Sequence, residues 1–154
     1  MHPFFEEYMK VLTTLYNDLE KTFDGLPAEA MDWVPGQGMN SFCVLAVHVA
    51  GSTNHMIRYF VGGMESNRDR TAEFAASGLD AAALKTRLAE SREFVRGVLE
   101  NLTLEELTVI HQMKDRDRKY TKAEWLLHAL EHVGLHVGHA QITRQLWDQK
   151  PANV

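Results

Sequence analysis

Apolar residues fall three and four apart along most of this chain, and that spacing commits it to helices. Phe4, Tyr8, Val11, Leu12, Leu15, Leu19 and Phe23 share one face of a helix over roughly 3–24, which Gly25 and Pro27 stop. A second helix starts at Asn40 or Ser41, both good N-caps, and runs to about Val61, where Gly62 and Gly63 end it. Asp80 caps a third that reaches about Leu102. Thr121 and Glu124 form a capping box for a fourth, which continues to about Trp147. Between them, "LPAEAMDWVPGQGMN" reads as a long loop and residues 62–79 are polar and aperiodic. Residues 103–120 are irregular, with "TVIHQM" as a short strand and "KDRDRK" as a solvated loop; the residues around Pro151 form a frayed tail.

Four helices with no repeat and no linker predict an all-α protein of one domain, 1–154, built as a four-helix bundle. Simple up-down bundles use short loops. A stretch as long as 62–79 reaches more than about 40 Å when extended, beyond the roughly 30 Å of a 20-residue helix. At least one connection therefore runs the length of the bundle and sets consecutive helices parallel.

The formal net charge of −5 argues against nucleic acid as a partner, since binding its backbone needs a basic face. No apolar run approaches the roughly 18 residues of a membrane span. The N-terminus lacks the basic start and apolar run of a signal peptide. Cys43 is the single cysteine, so no intrachain disulfide forms. A cytoplasmic protein is expected.

Four of the eight histidines crowd into "LLHALEHVGLHVGHAQ": His128, His132, His136 and His139. With His128 at zero, His132 lies at about 40°, His136 at about 80° and His139 at about 20° around the helix. The stripe is expected to face the bundle, with Leu135 beside it. The pairs 128/132 and 132/136 each have the i,i+4 spacing that presents two imidazoles to one zinc ion. A usable site needs a third ligand, and the second helix offers His48 and His55 in "VLAVHVAGSTNHM". Those two are separated by roughly 10 Å of helix axis, so one cation cannot take both. Buried neutral imidazoles without partners are costly, and a divalent cation removes that cost.

These segments resemble the DinB/YfiT-like metalloenzyme family. "MDWVPGQGMNSFCVLAVHVAGSTNHM" is similar to its second-helix region, where a Trp-x-Pro loop leads to Asn-Ser and a His in "HxAG". "EWLLHALEHVGLHVGHAQITRQLW" is similar to its last helix, with the pattern "EHxxxHxGxA" before an Arg-containing turn. The resemblance covers essentially the whole chain. It implies an up-down-down-up bundle and a metal held by His48, His132 and His136. Members bind nickel or zinc, and several branches are transferases or isomerases that use bacillithiol, mycothiol or glutathione.

Each remaining candidate has a plainer reading beside its chemical one. His128 is one turn before His132 and is the alternative ligand. His139 is expected to line the pocket or shuttle a proton. His55 is expected in the pocket wall or core, and His2 and His111 in solvent. Cys43 sits about 140° around the helix from His48, away from the metal. Glu131 points away from His132, toward a partner on its own helix or the first. Trp33 and Trp125 are expected to pack. Gly134 and Gly138 each weaken the helix by about 1 kcal/mol relative to Ala and share a face, which predicts a close helix–helix approach.

Three neutral imidazoles leave a divalent cation's charge uncancelled and a position open to water or a thiol. Without the glutamate of an HExxH motif, thiol-dependent transfer ranks ahead of metal-dependent hydrolysis. The rivals are a non-catalytic metal-binding stress or scaffold protein and a metal-free dimerisation module. Expected partners are a small-molecule substrate or thiol and a second copy of the chain.

Overall fold

The computed structural model describes residues 1–112 and 119–150. The "KDRDRK" loop, apart from Lys119, and the tail from Pro151 lie outside the described residues. Helix α1 spans Pro3–Phe23. His2, expected in solvent, is exposed but caps it: its Nδ1 accepts the Phe4 amide at 3.1 Å. The long loop holds a short helix, α2 (Ala28–Met31), whose Ala30 and Met31 are buried. Helix α3 (Phe42–His55) begins at Ser41, whose Oγ accepts the Val44 amide at 3.2 Å. It does not run on as an α-helix to Val61; Met56–Val61 widen into a π-helix, a form that is rare and frequent at functional sites.

The aperiodic stretch after Gly63 contains a helix the spacing did not reveal, α4 (Arg70–Phe74), capped by Asp69. Helix α5 (Ala81–Leu99) starts at the Asp80 cap and ends three residues short of Leu102, in a turn closed by the Leu102 amide on the Leu99 carbonyl. A 3-10 turn (Glu105–Thr108) leads to β1 (Ile110–Gln112), which pairs antiparallel with β2 (Lys119–Thr121), His111 opposite Tyr120. Helix α6 (Lys122–Asp148) opens on the expected capping box: Thr121 Oγ1 accepts the Glu124 amide and Glu124 accepts the Thr121 amide.

Cross-contacts fix the helix directions. Tyr16 bonds Ser91 at 2.8 Å and Lys85 bonds Asp24, so α1 and α5 are antiparallel. Ser91 donates to Asn54 and Arg58 lies over Phe94, so α3 and α5 are parallel. Leu15 neighbours Gly134 and Arg144 donates to the Thr22 carbonyl, so α1 and α6 are parallel. His48 meets His132 while Phe60 stacks on Trp125, so α3 and α6 are antiparallel. The molecule is an up-down-down-up four-helix bundle. The connection from Gly62 to Asp80 must travel the bundle's length between two parallel helices, and α4 lies on that path against α3.

Phe5, Leu12, Tyr16, Leu19 and Phe23 of α1 pack with Leu45, Leu84, Leu88 and Val133 in one continuous core, each such side chain contributing about 1.5–3 kcal/mol by leaving water. Phe4 and Val11, placed by spacing on the core face, are exposed; Phe5 and Tyr16 take the inner positions. On α6 the buried seam runs through Ala129, Val133, Val137 and Ala140, about 100–180° around the helix from His128. The centre of the histidine stripe therefore lies to one side of the seam, and Leu135 is exposed. A Cβ on Gly134 would meet only Leu15 at 3.9 Å, and one on Gly138 would meet nothing within 4 Å, so neither marks the tight approach expected of it.

Candidate metal centre

Three of the histidines converge where α3 crosses α6. His48, His132 and His136 each offer a ring nitrogen, and these nitrogens all lie within 4.8 Å of one another. His48 Nε2 is 3.2 Å from His132 Nε2. The His132 and His136 rings, one turn apart, are 4.5 Å between centroids. His48 and His136 are buried and His132 is half-buried.

His48 is held by a carboxylate that spacing did not reveal. Its Nδ1 is 2.9 Å from Glu73 Oε2 of α4. Arg68 grips the same carboxylate with Nε and Nη2, both at 2.7 Å. Burial pushes the Glu73 carboxyl up, but the hydrogen bonds from Arg68 and His48 outweigh it and the net shift is downward. An ionised carboxylate only accepts, so the His48 proton belongs on Nδ1 and the Nε2 lone pair faces the other two rings. This is the arrangement by which a carboxylate fixes the tautomer and angle of a metal-ligating histidine. Gly51 makes room for it: a Cβ there would sit 2.8 Å from Glu73 Cδ and closer still to Oε1. The "G" of "HVAG" is thus the gap through which Glu73 reaches His48.

All three imidazoles are pushed toward the neutral form. Burial leads in each case. His132 falls to about 3, with His136, His48, His128 and Arg68 adding to the shift. His136 falls to about 4, with His48 and His139 adding. His48 is lowered by burial, partly offset by Glu73. Neutral imidazole is the metal-binding state. The Nδ1 atoms of His132 and His136 are buried without a hydrogen-bond partner among the described residues. Orphaned buried ring nitrogens are costly in a bare protein; with His132 protonated on Nδ1, its Nε2 lone pair would face that of His48 at 3.2 Å, and one divalent cation among the rings would relieve that repulsion. The residues fit a metal.

A cavity of about 330 Å³ opens beside the cluster, its wall including His48, His132, Arg68, Phe60 and Trp125. His55 lines it, as expected, bonded to Ser66 Oγ at 2.8 Å. His128 is at its rim, exposed, with Glu131 at 3.2 Å; Glu131 so finds its partner on its own helix. His139 does not line this cavity. It is exposed on the far side of His136 and lines a separate cavity with Met39, Leu45 and Ile142, because α6 by then runs beside the N-terminus of α3. His111 is not in solvent but packs on Tyr59 and Phe60, with centroids 4.9 and 5.2 Å away. Cys43 is fully buried. Trp33 packs edge-on against Trp147, and Trp125 lies flat on Phe60 at 3.7 Å.

Only indirect signs of this neighbour stand in the sequence, and neither singles out Glu73. Asp69 is an N-cap residue four positions before it. Gly51 lies one turn after His48, where a glycine marks a close neighbour.

The fold is shared with solved proteins of low identity. A conserved protein from Enterococcus faecalis superposes with a TM-score of 0.77 at 19% identity, covering 94% of this chain and 97% of the other. YfiT from Bacillus subtilis, described as a probable metal-dependent hydrolase with an unusual four-helix bundle topology, gives 0.76 at 17%, covering 93% and 87%. A mutant of the mycothiol-dependent maleylpyruvate isomerase gives 0.66 at 15%, covering 87% of this chain and 59% of that one. No curated protein matches the chain. No described helix is long and apolar enough to cross a membrane. The sequence itself matches the model of the DinB superfamily over residues 12–140, a span holding all three converging histidines, the Glu73 that orients one of them and most of the bundle, and the chain belongs to that superfamily.

Proposed function

We propose that this protein is a metal-dependent enzyme in which His48, His132 and His136 hold one zinc or nickel ion, and that its reaction is transfer to or from a low-molecular-weight thiol. The observation that carries the reading is the open cavity beside three converging neutral imidazoles, with no fourth protein ligand among the described residues. A cation held so acts as a Lewis acid and favours the deprotonated form of a water or thiol taken at its free position. The protein's own groups do the rest. Glu73 keeps the proton on His48 Nδ1, Arg68 keeps Glu73 ionised and in place, and the Phe60–Trp125 stack shields one wall from water. Among the described residues no carboxylate lines the cavity to act as a base toward water, which favours a substrate that is itself readily ionised, such as a thiol.

Hydrolysis is the second reading, favoured by His55. Its ring lines the cavity and burial holds it neutral, so it is placed to accept a proton. Titrating cobalt-substituted protein with glutathione, bacillithiol and mycothiol separates the two. A shift of the visible spectrum with one of them supports thiol transfer. A spectrum moved by imidazole but by none of the thiols favours hydrolysis. A spectrum unmoved by all four ligands means a closed structural site.

A further inference from the structure

We propose that the cavity beside the three histidines receives a small carboxylate, with Arg70 as its anion-binding residue and the Phe60–Trp125 stack as its apolar wall. The inference deepens the proposed function and rests on its reading that this cavity is where the ligand goes. The chain carries a net charge of −5, yet among the described residues no Asp or Glu lines the cavity, and the fixed charges in its lining are Arg68 and Arg70. Arg68 is committed to Glu73 through two 2.7 Å hydrogen bonds. Arg70 has no carboxylate partner among the described residues.

What holds Arg70 is a ring. Its guanidinium lies 5.0 Å from the Phe74 centroid, and Phe74 in turn lies 4.5 Å from the His48 ring. A cation seated on an aromatic face keeps its charge and its hydrogen-bond fork for another partner. Described acids of this region have other partners: Glu73 is held by Arg68 and His48, Asp69 accepts the Ala72 amide, and the exposed Glu131 meets His128. The lining also holds an aromatic cluster, with Phe60 flat on Trp125 and Tyr120 edge-on to Trp125 at 5.0 Å. At about 330 Å³ the space is at the small end of ligand pockets. It suits a compact ligand with one carboxylate and a short apolar or aromatic body, and one free guanidinium matches a carboxylate's two oxygens.

The probes are benzoate, benzamide, benzylamine and inorganic phosphate, titrated calorimetrically into metal-loaded and metal-free protein and into Arg70→Gln. Benzoate should bind about tenfold tighter than benzamide, the ratio expected of one charge-assisted hydrogen-bonded pair, with benzylamine weaker still. The preference should survive metal removal and vanish in Arg70→Gln, whose metal content should match wild type. Equal binding of benzoate and benzamide overturns the proposal, as does a benzoate preference that persists in Arg70→Gln. Phosphate binding as tightly as benzoate also overturns it, since that is an unspecific anion patch. Protein that holds no metal but prefers benzoate through Arg70 sinks the metal reading and leaves this one standing.

Discussion

His132 and His136 share a helix with His128 and His139, all four within about 80° of arc, yet the two pairs have different surroundings. The inner pair meets His48 of α3, with ring centroids 5.0 and 4.8 Å away. The outer pair is exposed: His128 leans on Glu131, and His139 borders another cavity. Helical spacing puts side chains on one side of a helix but does not say how deep each lies. Depth is set by the neighbouring helix, and the buried seam of α6 lies toward His136, beyond the stripe's centre. Through a quarter turn of helix, four similar residues become two that converge with His48 and two that do not.

The largest expected effect tests that contrast directly. Replacing His132 or His136 by Ala in protein made without a histidine tag should abolish stoichiometric zinc or nickel binding, because two imidazoles rarely hold either tightly. Replacing His128 or His139 should leave one equivalent bound after dialysis. Loss of metal in His128→Ala with retention in His136→Ala would invert the comparison.

Next in size is metal removal. A ligand that binds only the native state at about a hundredfold over its dissociation constant adds about 2.7 kcal/mol. Chelation should therefore lower the melting temperature by about 5–10 °C, and the same chelator should not move His136→Ala. An unchanged wild-type melt after verified metal removal would show a site that contributes nothing to the fold.

A smaller loss should follow from disturbing the carboxylate behind His48. Glu73→Gln keeps the shape and removes the charge, and should weaken metal binding about 10–100-fold in competition with a chromophoric chelator. Gly51→Ala should do the same without touching a polar group, since its Cβ would collide with Glu73. Wild-type affinity in both variants would make Glu73 a structural ion-pair member and no more.

The smallest effect concerns pH in the metal-free protein. In the unfolded chain a histidine binds its proton near pH 6.5. In the fold His132 does so only at about 3 and His136 at about 4. Between these limits the unfolded state holds more protons, so stability falls as pH falls from about 6.5 toward 4. Thermal melts should show that slope, and it should flatten when both His132 and His136 are replaced by Ala. An equal slope in the double variant would assign the acid sensitivity to other groups.

Much of the bundle was legible in the sequence because its causes are local. Ser41, Asp80 and the Thr121–Glu124 box cap the helices they were expected to cap, and the length of 62–79 foretold a crossover. Spacing left two i,i+4 pairs and two histidines of the second helix open, and the family resemblance singled out the three that converge. Arg68 and Glu73 were not, because nothing local makes them converge on His48. They matter only because two helices run parallel and the chain must pass back along the bundle, across the face of α3 where Gly51 leaves a gap. The misjudged positions have the same origin. Phe4, Val11 and Leu135 obey the helical period but lie at the edge of the face their neighbours cover, and His111 is drawn into the Tyr59–Phe60 cluster by a hairpin whose second strand had no sequence signal.

The measurement that tests the central claim most directly is X-ray absorption at the metal edge of untagged protein, with metal content determined on the same sample. The account predicts one cation per chain with three imidazole nitrogens, the remaining ligands being small molecules that exogenous imidazole or thiol can replace. Protein that binds no stoichiometric metal, or a cation whose shell is closed by a fourth side chain, would contradict it.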